Sequence, residues 1–354
     1  MHRSLFAVPF VVLASCSSTQ RVETASAAEP IVETVIAPAR GGDATRFDLR
    51  ASGVEMMYRS DIDRLTRFRA PGGPEMLFTQ LLEEPALPDE AYTFYGGAYS
   101  WTAPQNGDLG WVGPDGAPRA WPPDPAMNIG PARVTLAGDA VTSETPVSRL
   151  GLIERKTFTP VENGAEVAFT LENTLDRPVT AGTWINTAVY DDALVAVRLV
   201  GPDALASIRG WDRQAIDRFI SILDRQGNGW AIVKINEAAW TGGIKVYVPR
   251  TVGELPTIAV WRDGQWLVRT QRVTEAATQT VGRLTTLGEG SIAMYIQPGD
   301  DGNPWIIEAE LYGPIVDIPA GGSHDASESW RLIASPDGPD TSLLPVTPDP
   351  ASAR

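Results

Sequence analysis

Two glutamates near the end of the chain alternate with apolar residues. Glu308 and Glu310 lie in the segment WIIEAEL at residues 305–311, and this alternation predicts a β-strand with both carboxylates on one face. If that face lines a pocket, burial and mutual repulsion shift the carboxylate pKa values and suit the pair to acid–base catalysis. If the face is exposed to solvent, the two glutamates are ordinary solubilising groups. The sequence leaves both interpretations open.

Other chemistries find little support in the sequence. The chain has two histidines and one cysteine, Cys16, and a serine hydrolase would need His324 as its base, although no nucleophile-elbow motif is present. The paired glycines at 96–97 and 242–243 lack the lysine and following helix of a phosphate-binding loop. The acidic turn at 300–303 lacks the spacing of a calcium loop. We therefore predict no metal site and no cofactor.

The N-terminus has the pattern of an export signal. Leu5 to Leu13 form a largely apolar run of nine residues, whereas a membrane-spanning helix needs roughly 20. The following Leu13-Ala14-Ser15-Cys16 resembles the lipobox of bacterial lipoproteins, which implies cleavage before Cys16 and lipid attachment to its thiol. Ser17 stands where an aspartate would favour the inner membrane, so the resemblance points to a lipid anchor in the outer membrane. The alternative is an ordinary secretory signal.

Composition divides the remaining chain. Residues 17–45 are rich in Ser, Thr, Ala, Glu and Pro and predict a flexible tether, residues 46–335 predict one folded domain, and residues 336–354 predict a proline-rich tail. A single cysteine excludes an internal disulfide. The net charge of −15 argues against nucleic acid and anionic membrane surfaces as partners.

The sequence of the domain predicts mainly β-strands. Short alternating runs separated by turn residues predict strands at 166–173, 243–248 and 305–311, and Asp263-Gly264 between apolar runs predicts a hairpin. Residues 211–225 instead space their apolar side chains like one face of a helix. The pattern predicts an all-β fold, a large two-sheet antiparallel β-sandwich with one short helix.

Several short motifs follow one another over roughly residues 60 to 333. They are DRLTRF at 63–68, PGGPEML at 71–77, YGG at 95–97, WTAPQ at 101–105, RAWPPDP at 119–125, NTLDRPV at 173–179, LYGP at 311–314 and WRL at 330–332. In this order they resemble a bacterial lipoprotein branch of unknown function within the galactose mutarotase-like superfamily. The resemblance implies a supersandwich whose concave sheet face holds sugars. In the enzymes of the superfamily, a histidine acid and a glutamate base open and reclose the sugar ring.

The chain departs from the family's catalytic pattern. In the related branch a histidine is expected directly after the paired glycines, but this chain has Ala98, and His324 lies far from any of the motifs. Alanine cannot exchange protons as imidazole does near neutral pH. The usual mutarotase chemistry is therefore not expected, and Glu308 and Glu310 are the candidates for a catalytic role.

Aromatic and polar residues in or beside the motif segments are the candidate ligand contacts. Sugars stack on flat rings, while amides and charged groups bond their hydroxyls. The candidates are Trp101, Gln105, Arg119, Trp121, Asp124, Trp184 and Asn186. The alternative is that the tryptophans are core residues and that Arg119 only pairs with Asp124. Two prolines after Trp121 favour a fixed turn that holds this ring outward.

Three classes of function remain. The first is an envelope lipoprotein that binds a carbohydrate or glycan, the second an atypical aldose epimerase-like enzyme that uses carboxylates, and the third a structural or partner-binding lipoprotein. A carboxylate pair with raised pKa in the concave face favours the enzyme. An exposed aromatic platform without such a pair favours binding, and a face filled by apolar side chains favours a structural role.

Overall fold

The structure is a computed structural model. It describes residues 31–36, 43–51, 53–80, 92–105, 108–128, 130–199, 209–210, 220–223, 228–235, 243–248, 254–272, 292–297, 299 and 306–346. No helix in these ranges is both long and apolar enough to cross a membrane.

Strands dominate the described residues, accompanied by one short α-helix and a 3-10 helix. The strands to the midpoint of the chain are β1 Ile31–Ile36, β2 Asp43–Ala51, β3 Val54–Arg59, β4 Arg64–Arg69, β5 Ala98–Ala103, β6 Arg133–Ala137, β7 Ala140–Glu144, β8 Leu152–Val161, β9 Gly164–Asn173 and β10 Val179–Val189. The remaining strands are β11 Leu194–Arg198, β12 Arg209–Gly210, β13 Ile220–Leu223, β14 Trp230–Ile235, β15 Ile244–Val248, β16 Thr257–Arg262, β17 Gln265–Arg272, β18 Ile292–Gln297, β19 Ile306–Tyr312, β20 Val316–Ile318 and β21 Ser323–Ala334. Helix α1 is Pro125–Asn128, and the 3-10 helix is Thr341–Leu343.

Two antiparallel sheets form the fold. The first, with 11 described strands, has the order β1-β2-β3-β4-β5-β10-β19-β18-β15-β12, and β20 pairs with β10. The second, with 10 described strands, has the order β13-β14-β11-β16-β17-β21-β9-β8-β7-β6. The prediction of an all-β, two-sheet antiparallel sandwich with one short helix is confirmed as a fold class, but the described α-helix, Pro125–Asn128, lies outside the segment 211–225 for which a helix was predicted.

The predicted hairpin is confirmed as β16 and β17, with Arg262 paired to Gln265 across the turn. Asp263 and Gly264 have φ values of 45° and 85°. A two-residue turn with positive φ at both positions matches the right-handed twist of the flanking strands. The strands predicted at 166–173, 243–248 and 305–311 correspond to β9, β15 and β19.

Strand β19 shows how the first sheet separates two environments. Ile307, Ala309 and Leu311 belong to the apolar cluster that includes residues of the second sheet, such as Val197 and Val260. The alternating residues of β19 point to the opposite face, because successive side chains of a strand lie on opposite sides. One face of the first sheet therefore packs in the core against the second sheet, and the side chains on the other face are available to form a binding site.

A buried ion pair within the second sheet also contacts the first sheet. Arg269 of β17 donates from Nε to Glu328 Oε2 at 2.9 Å and from Nη2 to Oε1 at 3.0 Å, and both side chains are fully buried. Its guanidinium also donates to the backbone carbonyls of Ala309 at 2.8 Å and Ile185 at 3.3 Å. Trp330 Nε1 donates to Glu328 at 2.8 Å. The pair thus ties the second sheet to the two central strands of the first, β10 and β19.

The helix predicted over residues 211–225 is wrong at Ile220–Leu223, which form β13 and pair with β14. A neighbouring strand offers backbone partners to this segment, so tertiary pairing overrides the local helical spacing. The other residues of the predicted helix lie outside the described residues.

The structure describes secondary structure within both the predicted tether and the predicted tail. The tether predicted at 17–45 includes β1, which pairs with β2 in register Ile31 to Asp48. Five of the six residues of β1 are β-branched, which suits a strand. The tail predicted at 336–354 includes the 3-10 helix, and Leu344 is buried against Trp230 and Trp266. Residues 1–30 and 347–354 lie outside the described residues.

We predict that Arg269→Met lowers the free energy of unfolding by about 3–5 kcal/mol, because it leaves the buried Glu328 carboxylate without its counter-charge. Urea unfolding at neutral pH measures the change. Arg272→Met is the matched control, since this arginine ends the same strand with its side chain 61% exposed and pairs with Glu166 at 3.2 Å. An exposed pair of this kind contributes less than about 1 kcal/mol. Equal losses in the two variants would contradict the structural role of Arg269.

Candidate functional site

Five neighbouring strands, β5, β10, β19, β18 and β15, present polar and aromatic side chains on the face of the first sheet opposite the core. Strand register places these side chains in cross-strand rows. One row is Trp101, Trp184 and Tyr312; a second is Tyr99, Asn186 and Glu310; a third is Glu308, Tyr295 and Lys245. We call this surface the site face.

A cavity of about 830 Å³ opens over the site face. It is lined by Tyr92, Phe94, Trp101, Gln105, Ala120, Trp121, Trp184, Lys245, Tyr295, Gln297, Ile306 and Glu308. Its volume lies in the upper part of the roughly 300–1,000 Å³ range of small-molecule sites, and an apolar lining with a few polar groups is typical of them.

Glu310 and Lys245 form a buried ion pair at the floor of the site face. Trp184 Nε1 donates to Glu310 Oε2 at 2.9 Å, and the Tyr312 hydroxyl donates to the same oxygen at 3.0 Å. Burial lowers the pKa of Lys245, and the charge of Glu310 opposes this shift. The Lys245 Nζ also lies 4.3 Å from the centroid of the Trp184 ring. Glu310 is thus held by three donors, whereas its ammonium partner reaches the cavity.

Glu308 lines the cavity in a different environment. It accepts a short hydrogen bond from the Tyr99 hydroxyl. Burial raises the pKa of Glu308 well above its ordinary value, the nearby charge of Glu310 raises it further, and Arg64 opposes the shift. The interpretation of the two glutamates as solvent-exposed groups is wrong, because they are only 5% and 0% exposed. A carboxyl that favours its protonated form can donate a proton as well as accept one.

Arg64, the first residue of β4, is held beneath Tyr99. Its guanidinium carbon lies 3.9 Å from the Tyr99 ring centroid, and its Nη1 donates to the Gly96 carbonyl at 2.8 Å. Gly96 and Gly97 have φ values of 70° and 74°. A Cβ at Gly96 would lie 2.2 Å from the Phe78 carbonyl oxygen, so only glycine fits this close approach. The YGG segment therefore shapes the turn that positions Arg64.

The residue after the paired glycines does not face the cavity. Ala98 packs in the apolar cluster between the sheets, whereas Tyr99 is on the site face. The side chain that this segment contributes to the site is therefore the Tyr99 hydroxyl, and Ala98 fills core space. His324 lies on β21 of the second sheet, where burial lowers its pKa.

The predicted tryptophans differ in the ring surface that they leave available. Trp184 stacks with Trp111 and Tyr312, with centroids 5.8 Å and 5.2 Å away, and is almost fully buried. Little of its ring face remains for a ligand. Trp121 is 49% exposed, and its ring centroid lies 4.6 Å from that of Tyr92 and 6.0 Å from that of Trp101. Trp121 is therefore the ring best placed to stack on a ligand at the mouth.

The predicted polar residues fall into two groups. Gln105 lines the cavity and donates to the Ala120 carbonyl at 2.7 Å. Asn186 is fully buried on the site face, and neither polar atom of its amide has a hydrogen-bond partner among the described residues. Such a group is costly unless water or a ligand satisfies it.

Arg119 and Asp124 are absent from the described cavity lining and make local contacts. Arg119 Nε donates to the Trp121 carbonyl at 3.0 Å, which braces the turn that carries this ring. Asp124 accepts hydrogen bonds from the backbone N–H groups of Ala126 at 3.0 Å and Arg149 at 2.5 Å. Asp124 therefore anchors the start of α1 to a neighbouring loop.

Sequence reasoning missed several polar residues of the site. Four of them are Arg64, Tyr92, Tyr99 and Lys245. Lys245 carried a usable signal, since it alternates with Ile244 and Val246 and must lie on the face opposite the core. For the other three, the neighbours that define their role are distant in sequence. Among the described residues, no group of three or more His, Cys, Asp or Glu side chains forms a candidate metal site.

Solved structures share this architecture. The chain is similar to a galactose mutarotase-like protein from Lactobacillus casei, with 12% identity, a TM-score of 0.51, and coverage of 81% of this chain and 100% of that one. A galactose mutarotase-like protein from Clostridium acetobutylicum has 10% identity, a TM-score of 0.51, and coverage of 86% and 99%. A TPR-domain containing protein from Parabacteroides distasonis has 11% identity and a TM-score of 0.51 over 90% of this chain, which spans only 55% of that protein.

No protein-family model and no curated protein sequence matches the chain. At these identities the structural likeness shows the fold and leaves function to the site itself. The paired sheets and the agreement over more than four-fifths of the chain support one assignment. The protein has the galactose mutarotase-like β-sandwich fold.

Proposed function

We propose that the protein binds carbohydrate in the cavity over the site face. The observation that carries this proposal is the combination of an exposed ring, Trp121, with buried polar groups that converge on the same space, Lys245 and Glu308. Aromatic rings accept the C–H faces of sugars, while the ammonium and carboxyl groups bond hydroxyls. The mutarotase-like fold of the neighbouring structures supports a carbohydrate-related role. A purely structural role is less well supported, because the face is not filled by apolar side chains.

A second candidate function is proton transfer to a bound sugar, as in an atypical aldose epimerase-like enzyme. The observation that favours it is Glu308, whose pKa is raised by burial and by the adjacent Glu310. Its partner Tyr99 supplies a hydroxyl in contact with the carboxyl. In this mechanism Glu308 takes the proton of the anomeric hydroxyl and returns it to the ring oxygen as the bond between the anomeric carbon and the ring oxygen breaks, which gives the open-chain sugar. The Lys245 ammonium stabilises negative charge on the departing ring oxygen. Reclosure on the other face of the carbonyl gives the other anomer. The ion pair with Glu310 keeps Lys245 in place.

We further propose that the protein belongs to a lipoprotein branch of this superfamily and is anchored in the outer membrane through lipid on Cys16. The support is the Leu13-Ala14-Ser15-Cys16 sequence, with Ser17 after it.

We predict that Trp121→Ala weakens sugar binding by roughly tenfold, equivalent to about 1.4 kcal/mol. Binding is found first by a thermal-shift screen of the full chain in detergent against neutral sugars and envelope glycan fragments, because a ligand of the folded state raises Tm. Calorimetry then gives the affinity. Leu343→Ala is the control, since this side chain is 44% exposed in the 3-10 helix outside the site. The absence of a thermal shift across the panel would refute carbohydrate binding.

We predict that Glu308→Gln makes the protein more stable than the wild type at pH 7 but not near pH 4. A raised pKa means that the folded state binds the Glu308 proton more tightly than the unfolded state. Ionisation therefore destabilises the fold as pH rises above the ordinary value of 4.5. Glutamine cannot ionise, so the variant does not lose stability in this way. Urea unfolding at both pH values measures the difference in free energy of unfolding between variant and wild type. Glu162→Gln, in the exposed turn between β8 and β9, is the control for loss of one charge.

The same variant separates the two candidate functions. If Glu308 transfers the proton, Glu308→Gln abolishes anomer exchange of the bound sugar, followed by magnetisation-transfer NMR, while binding persists. Undiminished exchange in this variant would exclude Glu308 as the acid–base group. A stability difference that is equal at pH 4 and pH 7 would contradict the raised pKa.

We predict that Cys16→Ser abolishes lipid attachment and releases the protein from the membrane fraction. Metabolic labelling with palmitate and fractionation measure the two effects, because serine cannot form the thioether. Ser15→Ala, which keeps a small residue before the cleavage site, is the control and should remain lipidated. Unchanged membrane association of Cys16→Ser would refute the anchor.

A further inference from the structure

The cavity has two zones that differ in chemistry. The floor carries Lys245 and Glu308, both almost fully buried. The mouth carries Trp121, which is half exposed and contacts Tyr92 with a ring-centroid separation of 4.6 Å. Trp101 lies between the zones, with its ring centroid 4.9 Å from that of Trp184 and 6.0 Å from that of Trp121. When one part of a ligand binds at the polar floor, the aromatic mouth remains available to a second part of the same molecule.

The volume supports a ligand larger than one sugar ring. The cavity measures about 830 Å³, toward the top of the roughly 300–1,000 Å³ of sites that hold drug-sized molecules. A single ring bonded to the floor would leave most of this space to water. It would also leave the exposed face of Trp121 without a contact.

The charges of the site favour a neutral ligand. Lys245 is the one cation among the described residues of the lining, and it is already paired with the Glu310 carboxylate. The whole chain carries a net charge of −15, which repels a polyanion. A glycan of uronic acids or sulfated sugars would therefore find no uncompensated cation among the described residues of the lining.

From the two zones, the volume and the charge balance, we infer that the cavity binds a neutral oligosaccharide of two or more rings, with one ring over Lys245 and Glu308 and another stacked on Trp121. This inference rests on the proposed carbohydrate binding. It adds the class of ligand, and it assigns Trp121 as the residue that makes binding depend on chain length. Trp121 is suited to this role because Arg119 and the following prolines brace its turn.

The test is calorimetric titration of the full chain in detergent with two neutral series, N-acetylglucosamine and its β-1,4 oligomers and glucose and its β-1,4 oligomers. Oligogalacturonates of the same lengths are the acidic probes. We expect at least one neutral series to gain about tenfold or more in affinity from one ring to three, and the acidic series to bind more weakly. Trp121→Ala should remove the gain with length, Trp121→Phe should restore much of it, and Leu343→Ala should leave it unchanged.

The outcomes distinguish this inference from the function on which it rests. If monosaccharides bind as tightly as their oligomers, carbohydrate binding stands and the inference is wrong. If acidic oligomers bind as tightly as neutral ones, the neutral class is wrong. If the length dependence survives in Trp121→Ala, the assignment of this ring is wrong. If no sugar of any length binds, the proposed function itself fails.

Discussion

The ion pair of Arg269 and Glu328 is the contact on which the geometry of the site depends. It lies in the interior between the sheets, and the guanidinium bonds the carbonyls of Ile185 and Ala309. These residues belong to the two central strands, whose alternating side chains include Trp184, Glu308 and Glu310 on the opposite face. Burying two charges costs free energy that their attraction only partly offsets. We attribute the presence of this pair to the directional bonds that it makes, which apolar packing cannot supply, and which fix the two strands relative to the second sheet.

Glu308 and Glu310 lie on one strand, but the residues that contact them differ and give the two carboxyl groups different chemical properties. Glu310 is bonded by Lys245, Trp184 and Tyr312 and remains beneath the cavity. Glu308, two residues earlier, reaches the cavity with Tyr99 as its donor and has a raised pKa. Nearby carboxylates whose environments differ in this way are the usual basis for dividing acid and base roles in one site. Here the division also leaves Glu310 as the counter-charge that holds Lys245.

The aromatic residues divide into structural and accessible rings. Trp111, Trp184 and Tyr312 stack on one another through Trp184 and build a rigid wall. Trp121 stands outside this stack on a turn fixed by Arg119 and two prolines. The mutarotase-like fold supplies the sheet face, but the rings and charges placed on it decide what is recognised.

Local pattern in the sequence was sufficient for the strands, the Asp263-Gly264 hairpin, the two-sheet sandwich and the shared face of Glu308 and Glu310, because each follows from alternation or turn chemistry within a few residues. Tertiary structure alone decided which side of the sheet is the core, because that depends on what the second sheet covers. It turned Ile220–Leu223 into a strand by offering β14 as a partner. It buried Trp184 between two rings, left Trp121 exposed, and brought Arg64, Tyr99 and Lys245 to the glutamates. Those contacts join strands far apart in the chain, and no local pattern specifies the distance between them.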